Sequence, residues 1–424
     1  MNILALHVKK SMLPYHKFYL NNGLEVIVHE DHSSKMAVVN LLYKVGSKNE
    51  ISGKTGLAHF FEHLMFGSSA NVPVFDRELE RVGGSCNAFT SSDITNYYIT
   101  LPASNIETAF WLESDRMLQL TLSEKTIETQ RKVVTEEYKQ RYLNQPYGDV
   151  WHHFRDLAFE KHPYRWPTIG QNLEDIVGYT REDVWDFYQT HYVPDNAILV
   201  VGGDVTPQEV ERLAKKWFEP IPSKKVSKSA ILQDDPQMAK KTKAVQSKVP
   251  TDALYKAFKM PAKGEPGYLE ADLVSDLLGF GTSSILEQRL VKNGKLFASV
   301  GAYILGSNDP GLLVFSGKME QGVSAELAEK ALDEVINDFL RQEIPSESLE
   351  KIKNQGEAMK TYESIQLLNR VMNLAFAANL GSPDLYWSEF ETKSKLEAEG
   401  IMTWANQLLR EENASVLYYQ SITS

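Results

Sequence analysis

Residues 59–63 read His-Phe-Phe-Glu-His, and this short stretch is the most informative part of the 424-residue chain. In an α-helix, residues i and i+4 lie on one face, so His59 and His63 can direct their ring nitrogens at one metal ion. Glu62 lies at the edge of the same face, where a carboxylate can accept a proton. The H-x-x-E-H order is a signature of catalytic zinc sites, and it predicts such a site here.

The surroundings of this stretch predict a largely buried helix. Apolar residues fill most other positions from 57 to 65, and the segment lies between Gly-Lys-Thr-Gly at 53–56 and Gly-Ser-Ser at 67–69. Burying two His and a Glu in so apolar a helix without a partner would cost several kcal/mol. The alternative of a purely structural helix is therefore disfavoured.

A catalytic zinc ion usually takes three protein ligands, so a third ligand is needed besides the two histidines. All ten His lie between His7 and His191, and the third ligand is either another of these or an acid. The best acidic candidates stand in residues 130–138, an expected amphipathic helix in which two adjacent valines face inward. Glu137 lies one turn from these valines and can point toward the same interior, whereas Glu136 points elsewhere.

Together these motifs resemble the pitrilysin/insulinase family of zinc metallopeptidases, and the chain looks like a bacterial, processing-peptidase-like member. That family joins H-x-x-E-H to a ligand Glu on a later helix, and Glu137 stands at a matching distance. Further similarity lies in Gly-Gly-Ser-Cys-Asn-Ala-Phe-Thr at 83–90, Asp-Ile-Thr-Asn-Tyr at 93–97 and Asn-Gln-Pro-Tyr-Gly at 144–148. The resemblance covers most of residues 15–220.

The resemblance implies that His59, His63 and Glu137 bind one Zn²⁺ per chain and that Glu62 is the general base. It implies a metalloendopeptidase that hydrolyses unfolded peptides or oligopeptides inside a closed chamber. The alternative is a non-enzymatic assembly or chaperone-like subunit of the same fold. Retention of all four site residues favours the peptidase.

The resemblance also implies a substrate-binding strand at Asn87, Ala88 and Phe89. A peptide would add there as an extra strand, using backbone hydrogen bonds that tolerate varied side chains. One departure from the family pattern is Gln130, because many relatives carry a second Glu seven residues before the ligand Glu. A neutral amide can still form hydrogen bonds behind the metal ligands, so we expect activity to be retained.

The chain resembles an internal duplication. Residues 58–65 are echoed by residues 271–278, and the segment after Ser123 is echoed by the segment after Ser346. The residues that fall opposite His59, Glu62, His63 and Glu137 are Asp272, Ser275, Asp276 and Lys360. The second copy therefore lacks zinc chemistry.

The expected fold class is α+β, with two similar halves that each pack helices on a mainly antiparallel sheet. Residues 1–222 form the zinc-binding catalytic half, and residues 248–424 form a degenerate non-catalytic half. Residues 223–247 are interpreted as a linker, because they are rich in Pro, Ser, Lys, Gln and Asp and show little periodicity.

A second departure from the family pattern concerns an Arg and, seven residues later, a Tyr that hold the substrate carbonyl in relatives. The equivalent positions here are Val291 and Ala298, and neighbouring Arg289 is a weak substitute. The resemblance therefore implies a homodimer, or a heterodimer with a related subunit that carries the Arg/Tyr pair.

Composition limits the class of protein to which this chain can belong. A hydrophobic content of 42% and a charged content of 24% are ordinary for a globular protein, and a net charge of −11 argues against nucleic-acid binding. No stretch is apolar enough to predict a membrane span, and the absence of a recognisable signal peptide favours the cytoplasm while leaving the periplasm open. Cys86, the only cysteine, is expected to be a small buried residue rather than a nucleophile.

Overall fold

Two β-sheets, one in each half of the chain, organise the computed structural model, which describes residues 13–223 and 230–422. Each sheet contains one parallel pair of strands, and its other neighbouring strands are antiparallel. Helices pack on both sheets. The expected α+β fold with two similar halves is confirmed.

The first half carries a six-stranded sheet. Its strands are β1 (His16–Tyr19), β2 (Glu25–Glu30), β3 (Met36–Tyr43), β4 (Ser85–Thr90), β5 (Thr95–Pro102) and β6 (Ala197–Gly203). They are arranged in the order β1-β2-β6-β3-β5-β4. Its helices are α1 (Leu57–Leu64), α2 (Phe75–Glu80), α3 (Ile106–Leu118), α4 (Glu124–Tyr138), α5 (Val150–Ala158), α6 (Leu173–Gly178), α7 (Arg181–His191) and α8 (Pro207–Trp217).

The second half carries a five-stranded sheet. Its strands are β7 (Lys241–Ser247), β8 (Ala253–Met260), β9 (Phe297–Leu305), β10 (Gly311–Met319) and β11 (Ala414–Ser421). They are arranged in the order β7-β11-β8-β10-β9. Its helices are α9 (Tyr268–Gly279), α10 (Ala325–Arg341), α11 (Ser346–Ile365), α12 (Leu367–Asn379), α13 (Leu385–Lys395) and α14 (Ala398–Leu408).

The strand order confirms the internal duplication. Strands β2 to β6 and strands β7 to β11, taken in chain order, follow the same path through their sheets, and β1 is an added edge strand. In each set the first and last strands form the parallel pair. The helices α1 and α9 also match, because each follows a glycine with a left-handed backbone, Gly56 (φ 95°) and Gly267 (φ 91°).

Strand β6 is buried along its whole length because the first sheet is covered on both faces. One face packs on the helices of the first half, and the other face packs on α12 of the second half. Gly202 allows α12 to approach closely, since a Cβ atom there would lie 2.5 Å from Cγ2 of Val371.

Each half contributes one helix that packs on the sheet of the other half. Helix α5 of the first half packs on the second sheet, just as α12 of the second half packs on the first. The two helices occupy equivalent places in the repeat, directly after the α4 and α11 regions. The residues that α5 buries are Val150, Phe154 and Ala158, and those that α12 buries include Val371, Leu374, Ala375 and Ala378. Apolar packing therefore joins the halves at two places.

The end of the predicted linker is part of the second sheet. Lys241–Ser247 forms β7, which pairs in parallel with β11 at the sheet edge, and residues 224–229 of the linker lie outside the described residues. Side chains along β7 alternate between exposed and half-buried positions, so the strand lacks the strong apolar alternation that identifies most strands. Among the described residues, none of the helices is long and apolar enough to cross a membrane.

Candidate metal centre

Helix α1 presents its polar residues on one face because its other face is anchored in the core. The anchoring side chains are Leu57, Phe60, Phe61 and Leu64, all of which are buried. At the helix N-terminus, the Glu50 carboxylate accepts hydrogen bonds from the backbone N–H groups of Gly56 at 2.7 Å and Ala58 at 2.8 Å. The side chains at 59, 62 and 63 are thereby held half-buried on the opposite face.

Helix α4 places Glu137 against His59 and His63. The Glu137 Oε2 atom lies 3.2 Å from Nε2 of His63 and 3.7 Å from Nε2 of His59. Val134 is buried and anchors the helix, whereas Val133, also expected to face inward, is 46% exposed. Adjacent helical residues point about 100° apart, and the buried face of α4 is too narrow to include Val133 as well as Val134. The sequence reasoning was wrong on Val133.

Together His59, His63 and Glu137 form a group in which one ligand atom from each residue lies within 4.8 Å of the others. It is the one such group of His, Cys, Asp and Glu within residues 13–223 and 230–422. Two imidazoles and one carboxylate are a common ligand set for catalytic zinc. The donor set therefore fits the ion, and we call this group the metal centre.

Protonation states at the metal centre suit a cation. Burial lowers the pKa of His59 to about 4, so its imidazole is neutral near pH 7. The contact with His63 lowers the pKa of Glu137, which keeps that carboxylate ionised. Metal ions bind the deprotonated forms of these side chains.

Glu62 lies beside the metal centre without belonging to it. The Thr90 hydroxyl donates a hydrogen bond of 2.6 Å to its Oε2 atom, and burial raises the pKa of the Glu62 carboxyl. Thr90 is the last residue of strand β4, so this edge strand and the carboxylate are directly connected. The arrangement suits a carboxylate that accepts and returns a proton.

Arg141 contacts Glu137, and the sequence reasoning missed this contact. Its Nη1 atom lies 3.0 Å from Oε1 of Glu137, while the other carboxylate oxygen faces the histidines. The spacing of Glu137 and Arg141, one helical turn, was the available signal. Glu136 is largely exposed and pairs with Lys139 at 2.7 Å, so it points away from the metal centre as its spacing predicts.

Gln130 lies two turns before Glu137 on the same side of α4 and is half-buried. No hydrogen bond in the described part of the chain joins it to the metal centre, so its expected role behind the ligands stays a prediction. Burial raises the pKa of the Cys86 thiol to about 11, which makes it a poor nucleophile at neutral pH.

The predicted substrate strand, β4, lies at the edge of the first sheet and pairs with β5 on one side. Asn87 is exposed, Ala88 is buried, and Phe89 packs against Phe376 of α12 with ring centroids 6.0 Å apart. An edge strand has backbone groups available for another strand. Peptide binding at these residues stays a prediction.

The second half places different chemistry at the equivalent positions. The Lys393 ammonium group of α13 lies 2.6 Å from Asp272 and 3.0 Å from Asp276, the residues opposite the two histidines. Lys360, opposite Glu137, lies with its Nζ atom 3.4 Å from the centroid of the Tyr386 ring. The second half thus holds a side-chain cation between two carboxylates.

The structure also includes positions 291 and 298, where relatives are expected to carry the substrate-binding Arg/Tyr pair. Val291 packs against the core of the second half, and Ala298 is exposed on edge strand β9. Arg289, the weak substitute, forms an ion pair of 2.8 Å with Asp338.

Comparison with known protein families gives two adjoining matches. Residues 25–170 match the model described as Insulinase (Peptidase family M16), and residues 178–355 match the model described as Peptidase M16 inactive domain. The second match falls mainly on the half that lacks His59, His63 and Glu137.

Comparisons with individual proteins agree with the family matches. The chain is 34% identical over 360 residues to the Zinc protease PqqE of Helicobacter pylori, covering 84% of this chain and 81% of that protein. It superposes on the crystal structure of a protease from Helicobacter pylori with a TM-score of 0.90 at 29% identity, covering 96% and 100% of the two chains. A peptidase M16 inactive domain from Pseudomonas fluorescens has the same fold, with a TM-score of 0.87 at 16% identity over 97% and 98% of the chains.

Proposed function

This chain belongs to the insulinase family of peptidases, family M16, and we propose that it is a zinc-dependent endopeptidase acting on unfolded peptides. One observation carries the proposal: the ligand atoms of His59, His63 and Glu137 converge within 4.8 Å, with Glu62 beside them. A non-catalytic member of the fold would have no need to keep all four side chains in this arrangement.

In the proposed reaction, His59, His63 and Glu137 hold one zinc ion. When bound, zinc supplies positive charge that polarises the scissile carbonyl and lowers the pKa of a nearby water toward 7. Glu62 accepts the proton of the attacking water. The hydrogen bond from Thr90 fixes its Oε2 atom and leaves Oε1 for the proton.

The same carboxyl group then protonates the amine that leaves as the peptide bond breaks. Because burial raises the pKa of Glu62, the carboxylate is a stronger base than an exposed Glu, and the neutral acid forms more readily. The substrate would lie against strand β4, whose Thr90 side chain already contacts this carboxylate.

We further propose that the active assembly is a dimer enclosing the peptide, with a second copy or a related subunit as partner; only a related subunit could supply the Arg/Tyr pair, because a second copy carries the same residues at 291 and 298. The support is the character of positions 291 and 298, where a half-buried Val and a small exposed Ala offer no hydrogen-bond donor from their side chains. Arg289 is already paired with Asp338. A partner that carries the Arg/Tyr pair would supply stabilisation for the substrate carbonyl oxygen.

The test is hydrolysis of a flexible, internally quenched peptide by purified protein before chelation, after chelation, and after zinc is restored. We expect cleavage that disappears on chelation and returns with zinc. Zinc-loaded protein that cleaves no such peptide, alone or with a related subunit, would contradict the proposal and favour the assembly or chaperone-like role.

A further inference from the structure

Two equivalent turns of the repeat meet where the halves contact each other. The first, residues 91–94, joins β4 to β5, and the second, residues 306–310, joins β9 to β10. Asp93 lies two residues before β5 and Asp309 lies two residues before β10, so the two acids occupy equivalent places. The Asn308 backbone N–H donates to Oδ2 of Asp93 at 3.0 Å. The turn of the second half is therefore docked on the turn that follows β4.

Lys48 lies between the two acids. Its ammonium nitrogen is 2.8 Å from Oδ1 of Asp93 and 2.8 Å from Oδ2 of Asp309. Its side chain is only 15% exposed, so solvent screens these ion pairs little. Burial by itself lowers the pKa of Lys48, but the two carboxylates outweigh burial and hold that pKa above its ordinary value. The ammonium group is thus charged at neutral pH and contacts both turns at once.

Neighbouring polar groups complete the cluster. The Tyr164 hydroxyl donates to Oδ1 of Asp93 at 2.6 Å and accepts from the backbone N–H of Asp309 at 3.1 Å. The Arg155 guanidinium donates to the Ser92 hydroxyl at 3.3 Å and adds a second positive charge near Asp93. Two cations therefore balance two carboxylates. We give the name bridging cluster to Lys48, Asp93, Tyr164 and Asp309.

The bridging cluster adjoins the candidate reaction site. Asp93 is three residues after Thr90, whose hydroxyl donates to Glu62. Lys48 lies on the segment between β3 and α1, the helix that carries Glu62. The Lys48 backbone N–H donates to the Ser92 carbonyl at 2.9 Å, so this segment also contacts the turn directly. The two parts of the chain that form the Thr90–Glu62 hydrogen bond are therefore tied to each other and to the second half.

The equivalent lysine of the second half makes a different ion pair. Lys263 repeats the backbone contact of Lys48, since its N–H donates to the Ser307 carbonyl at 2.9 Å. Its ammonium group lies 3.4 Å from a carboxylate oxygen of Glu389, which belongs to the same half. Of these two equivalent lysines, Lys48 is the one that joins turns of both halves. The repeat can thus form without such a bridge, and the bridge lies on the half that holds the metal centre.

We propose that Lys48 is a positioning residue for peptide hydrolysis, which acts through the β4–β5 turn to hold Thr90 and the Glu62 carboxylate in their reactive arrangement. This inference deepens the proposed peptidase function and rests on it. Proton transfer requires a short and well-directed contact between the base and the attacking water. Because Asp309 belongs to the second half, the direction of the Glu62 carboxylate then depends on the contact between the halves.

The test is a double-substitution cycle on kcat, measured with a flexible, internally quenched peptide and scaled to the zinc content of each variant. Lys48→Met should lower kcat about tenfold, because a loosened turn lets the carboxylate leave its reactive arrangement. Thr90→Val removes the hydroxyl itself and should lower kcat by a similar factor. If Lys48 acts through Thr90, the combined variant should be no more than about twofold slower than Thr90→Val.

Three further substitutions separate positioning from loss of structure. Lys48→Arg keeps the charge and can contact two carboxylates, so it should recover most of the lost kcat. Lys263→Met removes the equivalent lysine and should leave kcat unchanged. Asp309→Asn takes the place of Lys48→Met in the cycle if that variant fails to fold, because Lys48 then keeps its contact with Asp93. The same absence of an added loss on Thr90→Val is expected.

Amide hydrogen exchange tests the positioning without peptide hydrolysis. Exchange across residues 85–95, which span β4 and its turn, should become about tenfold faster in Lys48→Met. It should stay unchanged in Lys263→Met, whose ion pair lies within the second half.

Full multiplication of the two losses in the combined variant would overturn the proposal, since it would show that Lys48 and Thr90 act independently. An unchanged kcat or unchanged exchange in Lys48→Met, or an equal loss of kcat in Lys263→Met, would also overturn it. If the unsubstituted chain hydrolyses the peptide and any of these results is found, the positioning role fails alone. A zinc-loaded chain that hydrolyses no peptide, alone or with a related subunit, removes the peptidase and the positioning role together.

Discussion

The two halves of this chain share an arrangement of strands and helices but differ in the charged side chains at equivalent positions. We call the site around His59, His63 and Glu137 the first cleft, and the site around Asp272, Asp276 and Lys393 the second cleft. In the first half, two imidazoles and a carboxylate face one another, and Arg141 touches only the outer oxygen of Glu137. In the second half, Lys393 lies between the two carboxylates that replace the histidines. One half presents side chains that could hold a cation from solution, and the other carries its own cation.

This difference shows that the repeat does not need a metal ion to hold its shape. The helices that carry the site residues, α1 and α9, both begin after a left-handed glycine and both bury their apolar face in a core. Packing therefore fixes the scaffold, and the polar face of each helix can carry different chemistry. The predictions below test how separate the two clefts are.

The largest expected effect is on the general base. Glu62→Gln should lower the rate of peptide hydrolysis by about 10²–10⁴-fold while zinc remains bound, because an amide cannot accept the water's proton. Ser275→Ala, at the equivalent position of the second half, is the control and should leave the rate unchanged. Steady-state hydrolysis and zinc analysis of both variants check this. Full activity in Glu62→Gln would remove Glu62 from the reaction.

A partner subunit should have the next largest effect. If positions 291 and 298 leave the substrate carbonyl without donors, a related subunit carrying the Arg/Tyr pair should raise kcat by about 10²–10³-fold without adding zinc. The measurement is kcat for the isolated chain and for the mixture, with subunit content fixed by light scattering. An isolated chain whose rate no partner improves would mean that this chain supplies the stabilisation itself.

The clearest test of the second cleft is Lys393→Met. Removing this cation leaves Asp272 and Asp276 facing each other, and we expect the free energy of unfolding to fall by about 2 kcal/mol. Lys395→Met, at an exposed position of the same helix, should change it by less than about 0.5 kcal/mol. Urea unfolding compares the two variants. The zinc content of both should match that of the unsubstituted chain, and a loss of zinc in Lys393→Met would show that the clefts are coupled.

The smallest expected effect is at Arg141. Arg141→Met should weaken zinc affinity about tenfold, because the outer oxygen of Glu137 loses the contact that orients the carboxylate. Lys139→Met, which removes an ion pair with exposed Glu136, is the matched control. Competition with a chromogenic chelator measures both affinities. Equal affinities would mean that packing of α4 alone orients Glu137.

Much of the first cleft could be predicted because its residues obey short-range helical spacing. His59 and His63 are one turn apart, so their spacing alone placed them on one face. Spacing favoured Glu137 over Glu136, and the family resemblance implied that Glu137 is the third ligand. The duplicated fold was visible in the echo of residues 58–65 at 271–278. Strand order then confirmed it.

The second cleft could not be predicted in the same way. Lys393 lies on α13, 121 and 117 residues beyond Asp272 and Asp276, and no spacing rule connects positions so far apart. The reciprocal packing of α5 and α12 on the opposite sheets has the same cause, since both contacts depend on tertiary structure. Strand β7 could not be recognised in the sequence, because none of its side chains is fully buried and its apolar alternation is weak.

The most direct test of the metal centre is the zinc content of the purified chain and of three variants. We expect about one zinc per chain in the unsubstituted protein, in Glu136→Ala and in Asp276→Ala, because neither substituted residue belongs to the ligand set. Glu137→Ala should lose nearly all of its zinc while its circular dichroism spectrum stays unchanged. Unaltered zinc content in folded Glu137→Ala would contradict the assignment of the third ligand.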